Sequence, residues 1–407
     1  MFDANQLSER PTTALVIGAG MGGLAAALRL QASGHQVTLF DTHPWPGGKM
    51  RTVPSEAGPV DAGPTVLTMR HVFDDLFAAT GARLEDHVTL IEEHLLARHF
   101  WPDGSTLDLT NNHDTNAEAI THFASETVAQ EYVRFSDEAA SLFDQFSTTM
   151  MLHSDPQLPQ LAKAALAKPR QLGVLSPLAT LRKHLNRRFS DPRLVQLFGR
   201  YATYVGGSPL ASPAILSLIW QAEAAGVWRV KGGMHRLALA LADRFEAIGG
   251  TLRLGTPIAA ITTDNGRATG VTLQTGETQT ADLVIFAGDP RALATGKLGA
   301  AVEGVASVTR TQQRSFSARV WSFAAHANTP RDLAYHNIFF GTSPTEEFEA
   351  IEQGTMPTDP TIYICAEDRG HETTASKGPE RFEIILNAAP LTEARPPIDE
   401  EDTCRQT

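Results

Sequence analysis

The chain has 407 residues, 42% of them hydrophobic, and a formal charge of -12. That length suits two domains of an ordinary globular protein, and the acidic balance argues against a nucleic-acid surface. No apolar run reaches the length of a spanning helix, the polar start MFDANQLSER does not read as a signal peptide, and Cys365 and Cys404 form neither a metal nor a redox spacing, which fits a reducing, cytoplasmic setting.

In chain order, TTALVI (12–17) is β-branched and apolar, the pattern of a buried parallel strand. LAAALRLQASG (24–34) is alanine- and leucine-rich and closes on Gly34, which predicts a helix with a glycine just past its end. Between them Gly18, Gly20 and Gly23 fit G-x-G-x-x-G. One glycine permits a tight turn, one lets backbone approach a pyrophosphate, and one lets the helix pack closely on the strand. The pyrophosphate then faces the free N–H groups at the positive end of the helix. A second apolar strand, QVTLF, ends on Asp41, about twenty residues on, where an acid bonds ribose hydroxyls.

After Asp41 comes a further glycine loop. Gly47 and Gly48 allow close backbone approach, and Lys49 and Arg51 bring cations to the same place, as a diphosphate requires. Asp61–Val66 (DAGPTV) repeats the arrangement of small residues with a fixed proline. A nicotinamide site needs neither of these extra loops; a longer flavin dinucleotide does. HVFDDLFAATG predicts a helix, and ARHFWPDGSTLDL a hairpin turning at PDG. From about 113 to 220 the spacing is helical and amphipathic, with breaks at prolines 156, 159, 169 and 177. Helical spacing returns over 232–250. Three or four short strands with Asn-Gly and Thr-Gly turns follow, closing on Leu283–Ala287, and beyond 290 come aromatic strands (ARVWSFAAH, YHNIFFG, TIYICAED, FEIILNAAP). The dinucleotide domain is thus discontinuous, 12–95 plus 225–290, with 96–224 plus 291–400 building a second, substrate-side domain.

The order G-A-G-M-G-G-L, the acid at 41, G-G-K-M-R-T and D-A-G-P-T-V resembles the flavin-dependent phytoene desaturase family of carotenoid biosynthesis. LFGRYATYVGGSPLASPAILSLIWQAEAAGVWRVKGGMHRLALAL (197–241) is similar to the bacterial branch that acts on acyclic hydroxylated carotenoids, and the likeness covers nearly the whole chain. The resemblance implies an α/β fold: a Rossmann-like, amine-oxidase-like FAD-binding domain with an inserted mixed α+β substrate and membrane-associated domain. It makes Gly18, Gly20 and Gly23 the pyrophosphate loop and Asp41 the ribose ligand. Gly48, Lys49 and Arg51 would lie along the diphosphate and ribityl chain, Gly63, Pro64 and Thr65 would approach the flavin, and the backbone of Ile258 would meet the adenine. Family members normally carry roughly a hundred further residues, with a second glycine-rich flavin loop and a last helix. The resemblance therefore implies a C-terminally truncated chain whose FAD domain lacks its last part. PIDEEDTCRQT reads as the start of a helix.

The implied reaction is 3,4-dehydrogenation of a 1-hydroxy- or methoxy-neurosporene type carotenoid. It needs a positioned cofactor and a dry site more than an acid–base motif, and neither a Ser/His/Asp order nor a metal-ligand spacing is evident. Arg200, Tyr201 and Tyr204 are the polar candidates beside an apolar tunnel, to orient the substrate hydroxyl or to pack between domains. His235 follows a glycine loop, to face the flavin or lie on a helix surface. The partners implied are a hydrophobic acyclic carotenoid, a membrane surface met through 172–220 and the basic run RKHLNRR (182–188), and oxygen or a quinone as electron acceptor, at the cytoplasmic side of the inner or an intracytoplasmic membrane. Another carotenoid desaturase or isomerase-type flavoprotein, an amine oxidase on the same scaffold, and a flavin-free remnant are the competing readings.

Overall fold

A computed structural model describes residues 12–151, 179–327, 333–370 and 378–392. The prolines at 156, 159, 169 and 177, Cys404 and the PIDEEDTCRQT segment lie outside them. The glycine motif joins β1 (Thr13–Ile17) to α1 (Met21–Ala32), which returns to β2 (Gln36–Phe40). These strands form a parallel sheet in the order Leu283–Phe286, β1, β2, Thr251–Arg253. β1 is central and covered on both faces, so its residues read as a continuous apolar run rather than an alternation. On one face α1 and the His235–Ala247 helix pack through Leu24, Leu28, Leu237 and Leu241. On the other lies an antiparallel sheet of Ile258–Asp264, Arg267–Leu273 and Thr278–Thr280. Its first turn is Asn265-Gly266, both at positive φ (49° and 78°), the combination that a two-residue hairpin with the twist of its strands demands.

The expected boundary at 290 falls beside a packed cluster. Leu293, Ala294, Leu298, Val302 and Ala306 pack with Leu15, Ile17 and Phe40 in one apolar cluster. The Pro290–Ala294 helix starts four residues after the Leu283–Phe286 strand ends, and its apolar side covers the face of the parallel sheet that α1 leaves open. The residues after 290 therefore pack against the parallel sheet.

The second unit is a six-stranded sheet backed by helices. Its order is Ser317–Ala325, Glu380–Ala388, Ile362–Ala366, His336–Phe339, Leu95–Phe100, Thr106–Thr110. The expected 95–110 hairpin is present, and it joins the later strands through a parallel pairing with His336–Phe339. The Glu126–Met151 helix buries one stripe at helical spacing, Val128, Tyr132, Phe135 and Ala139 against Phe198, Tyr201 and Trp220, and Leu142 and Phe146 against Ala214, Ile215 and Leu218. Thr180 and Asp191 cap the helices Leu181–Arg188 and Pro192–Gly199 by accepting from the amides of Lys183 and Arg193.

The two units are tied at the Val60–Thr65 loop. Asp61 caps the His235–Ala247 helix, its carboxylate accepting from the amides of Met234 (2.6 Å) and His235 (3.3 Å). The amide of Asp61 donates to Glu367 Oε1 (2.8 Å) and that of Gly63 to Glu383 Oε1 (2.8 Å). Arg381 reaches the Pro59 carbonyl (3.1 Å) and Glu367 (3.5 Å). Burial and mutual repulsion push the carboxyl groups up, Glu367 to about 7 and Glu383 to about 8, with Asp61 also raised, chiefly by burial.

Two predictions follow from these contacts. The folded state holds protons on Glu367 and Glu383 that the unfolded chain releases near the ordinary glutamate value, so folding stability falls as pH rises from about 5 through about 8. Thermal midpoints between pH 6 and 8.5 should decrease, and Glu383→Gln, which keeps the acceptor for Gly63, should flatten the slope; a midpoint rising over that range contradicts the assignment. At Gly23 an added Cβ would stand 1.8 Å from the Gly18 carbonyl oxygen, whereas at Gly22 it would meet nothing within 4 Å. Gly23→Ala should therefore destabilise by about 1–3 kcal/mol, while Gly22→Ala should stabilise by about 0.5–1 kcal/mol, both read from urea midpoints.

Candidate flavin and substrate site

The glycine loops build a cradle around the start of α1. Gly18 has φ +105°, and its amide donates to the Phe40 carbonyl (2.7 Å), which turns the chain off the end of β1. Gly20 is the helix N-cap without a side-chain cap, and the first turn carries no acid. The amides of the first turn are thus free to meet an anion at the positive end of the helix. The second loop lies directly on the first. The Gly47 amide donates to the Ala19 carbonyl (2.8 Å), and a Cβ on Gly48 (φ +62°) would stand 3.0 Å from Gly20 Cα. The third loop lies on the second: a Cβ on Gly63 would meet the Lys49 carbonyl oxygen at 2.0 Å. Three separate glycine runs are therefore required by three successive backbone contacts.

Asp41 closes the cradle at the end of β2. Its carboxylate accepts from the amides of Ala19 (2.7 Å) and His43 (2.8 Å), and each oxygen retains a lone pair. Its backbone carbonyl accepts from Thr256 (2.7 Å), and Gly255 donates to the His43 carbonyl (2.9 Å), which brings the chain leading into Ile258 beside the same strand end. Ile258 opens its strand half-buried. Lys49 and Arg51 are exposed and have no carboxylate partner among the described residues. Free helix amides, crowded glycines and unneutralised cations fit a dinucleotide diphosphate, with Asp41 for a ribose. Pro64 is exposed; Thr65 is buried, its hydroxyl 2.6 Å from Tyr363.

The polar candidates each have partners within the fold. His235 Nε2 meets the Pro46 carbonyl (2.9 Å), so this imidazole props the Pro46–Gly47 corner against its helix. Arg200, Tyr201 and Tyr204 converge on Glu223, which is buried and was not singled out from sequence. Arg200 Nη2 lies 3.2 Å and Tyr201 Oη 2.6 Å from Glu223 Oε2, and Tyr204 donates to the other oxygen. This cluster fixes the 3-10 segment Arg200–Val205 and leaves the buried Arg200 Nε without a hydrogen-bond partner among the described residues. The only hint in the sequence is one acid within the apolar helix Leu218–Ala224. Of the basic run 182–188, His184 is buried and Arg188 pairs with Glu138 (2.6 and 2.8 Å), which leaves Lys183 and Arg187 exposed one turn apart.

Sequence reasoning missed the face of the six-stranded sheet that meets the cradle. Cross-strand partners share a face. Glu383, Cys365 and His336 form one row, and Ile385, Tyr363, Ile338 and His99 the next. Two residues further along each strand, Asn387, Thr361 and Phe340 line a shallow cleft together with Arg200, Thr203 and Phe348. The path from the cleft to the first row is about 13 Å at 3.3 Å per residue. The face is dry: burial drives His99 and His336 down to about 3, so both imidazoles are neutral, and pushes the Tyr363 and Cys365 protons well up. The alternation of polar and apolar residues in YHNIFFG and TIYICAED is the sequence signal of this face, though it does not say which side meets the loops.

The model of the family described as flavin containing amine oxidoreductase matches residues 21–329. The chain is 52% identical to a hydroxyneurosporene desaturase of Cereibacter sphaeroides over 94% of its own length and 77% of that protein's. It is 47% identical to the hydroxyneurosporene desaturase of Rhodobacter capsulatus, over 97% and 79%. Among solved structures, an oxidoreductase from Methanosarcina mazei superposes with a TM-score of 0.61 at 18% identity, covering 93% of this chain and 79% of that one, which speaks to the fold. With cradle, fold and relatives in agreement, the chain belongs to the flavin containing amine oxidoreductases, and within them to the phytoene desaturase family of oxidoreductases.

Proposed function

We propose that the protein binds FAD and desaturates an acyclic carotenoid carrying a hydroxyl or methoxy end group, removing hydrogen across the 3,4 bond. The observation that carries this reading is the junction of two surfaces: an anion-ready glycine cradle and a dry, aromatic sheet face joined through Thr65 and Tyr363. The named relatives act on hydroxyneurosporene, and an apolar polyene suits that face.

Desaturation takes a hydride equivalent from an allylic carbon and a proton from its neighbour, and the polyene spreads the developing charge. Bound in the cradle, a flavin would supply the two-electron acceptor. The chain's own residues do the rest. The α1 amides, Lys49 and Arg51 hold the diphosphate, Asp41 the ribose, and the backbone at Ile258 the adenine. Gly63 and Thr65 set the floor beneath the sheet face. Ile338, Tyr363, Ile385 and Phe340 exclude water, which keeps the reacting carbons from hydration and the polyene aligned. The substrate enters from a membrane surface. No helix among the described residues is long and apolar enough to cross a membrane, and the exposed Lys183 and Arg187 beside the cleft helices support a peripheral contact with anionic lipid. Oxygen or a quinone accepts the electrons.

The visible spectrum after loading with FAD and desalting tests the cofactor. Flavin bands should stay with the protein, and Asp41→Ala should weaken retention by about tenfold, the loss of one good hydrogen-bonded anchor. A chain that retains no flavin contradicts the reading. Liposomes loaded with 1-hydroxyneurosporene should show a red-shifted carotenoid spectrum on incubation with the flavin-loaded protein; an unchanged spectrum under both oxygen and quinone would remove the carotenoid assignment.

A further inference from the structure

We propose that His336, held by Tyr363 and Thr65, contacts the oxygen on the carotenoid end group and sets the preference for oxygenated over unsubstituted chain ends; this rests on the carotenoid reading above. His336 is 2% exposed. Its Nδ1 lies 2.6 Å from the Tyr363 hydroxyl, which lies 2.6 Å from Thr65 Oγ1. Its Nε2 has no partner among the described residues, although a buried polar atom ordinarily has one. Tyr363 and Thr65 thus use one ring nitrogen to fix the imidazole and leave the other buried and unpartnered on the same sheet face.

The chemistry of the substrate places the oxygen here. In a 1-hydroxycarotenoid the carbon bearing oxygen is two bonds from the carbon pair that loses hydrogen. The group that binds the oxygen must therefore stand beside the cradle, not at the far end of the path. Two adjacent rows of the sheet face are tied to the Asp61–Thr65 loop, that of His336, Cys365 and Glu383 through Glu383 and Gly63, and that of Tyr363 through Thr65, and Tyr363 in turn holds His336. The cleft row with Asn387 and Phe340 is about 13 Å away.

The imidazole is also the right kind of group. Burial, together with the charges of Arg200 and Arg229, keeps it neutral. If Tyr363 donates to Nδ1, then Nε2 carries the proton and is a donor; if Nδ1 donates to Tyr363, Nε2 is an acceptor. An alcohol can meet either arrangement and an ether only the first, so one imidazole accommodates a hydroxyl or a methoxy group and offers nothing to a hydrocarbon end. A hydrocarbon there leaves Nε2 buried and unpaired, which is the strongest form of rejection a single polar group can exert. His99, fully buried on the adjacent strand of the same face with its own Nε2 unpartnered, extends the polar strip by one position.

Steady-state kinetics of the flavin-loaded protein in liposomes test this, with 1-hydroxyneurosporene and neurosporene compared at equal loading. The wild-type chain should prefer the hydroxylated substrate in kcat/KM. His336→Leu should lower the ratio of the two kcat/KM values about 10- to 100-fold, with flavin absorbance retained, and His336→Gln, whose terminal amide reaches the position of Nε2, should restore part of it. Should His336→Leu fail to fold, Tyr363→Phe, which releases Nδ1 and lets the ring turn, should lower the same ratio. A ratio unchanged in the folded variants, or equal loss on both substrates, overturns the role of His336 while leaving the function intact. A wild-type chain that holds flavin and converts neither substrate overturns the carotenoid reading and this inference with it.

Discussion

The architecture depends on a few hydrogen bonds in the Val60–Thr65 loop. Two backbone amides of one short segment, those of Asp61 and Gly63, each donate to a glutamate of the six-stranded sheet, while the Asp61 carboxylate caps the helix that covers the parallel sheet. The loop is therefore bonded on both sides, to the parallel-sheet unit through the helix and to the six-stranded-sheet unit through Glu367 and Glu383. It must also run close enough to Lys49 that only glycine fits at position 63. Everything the site needs, a cradle on one side and a sheet face on the other, is positioned by this joint.

The same desolvation acts on acids and bases alike. It raises Glu367 and Glu383 and lowers His99 and His336, because in each case the charged form is the one that loses hydration. The interface between the units is thereby mostly uncharged despite its titratable residues, with Arg200, Arg229 and Arg381 held against carboxylates at its margin. A surface of this kind combines low polarity with a small number of directional groups, as binding sites for apolar ligands do.

The glycine loops show how close packing and anion binding arise together. Gly18 turns the chain, Gly23 admits the helix onto that turn, and Gly48 and Gly63 let two further loops stack on it. Each removal of a side chain exposes backbone N–H groups, and the positive end of α1 adds to them. Asp41 organises the same corner by accepting from Ala19 and His43. His235 contributes through the Pro46 carbonyl, which makes it part of the scaffold of the second loop.

The sequence by itself determined the local elements and the cradle. A βαβ unit is encoded within some thirty contiguous residues, glycines are forced wherever backbone must approach backbone, and the 258–287 strands and the 95–110 hairpin announce themselves through turn residues, so these were legible from Gly18, Asp41, Gly48, Gly63 and the Asn265-Gly266 pair. Only the tertiary structure decided which side of the aromatic strands faces the cradle, that 291–310 covers the parallel sheet, and that Arg200, Tyr201 and Tyr204 are engaged by Glu223. The reason is range. His336, Tyr363 and Glu383 lie roughly 270 to 320 positions from the loop they meet, and alternation along a strand fixes which residues share a face but not what that face is packed against.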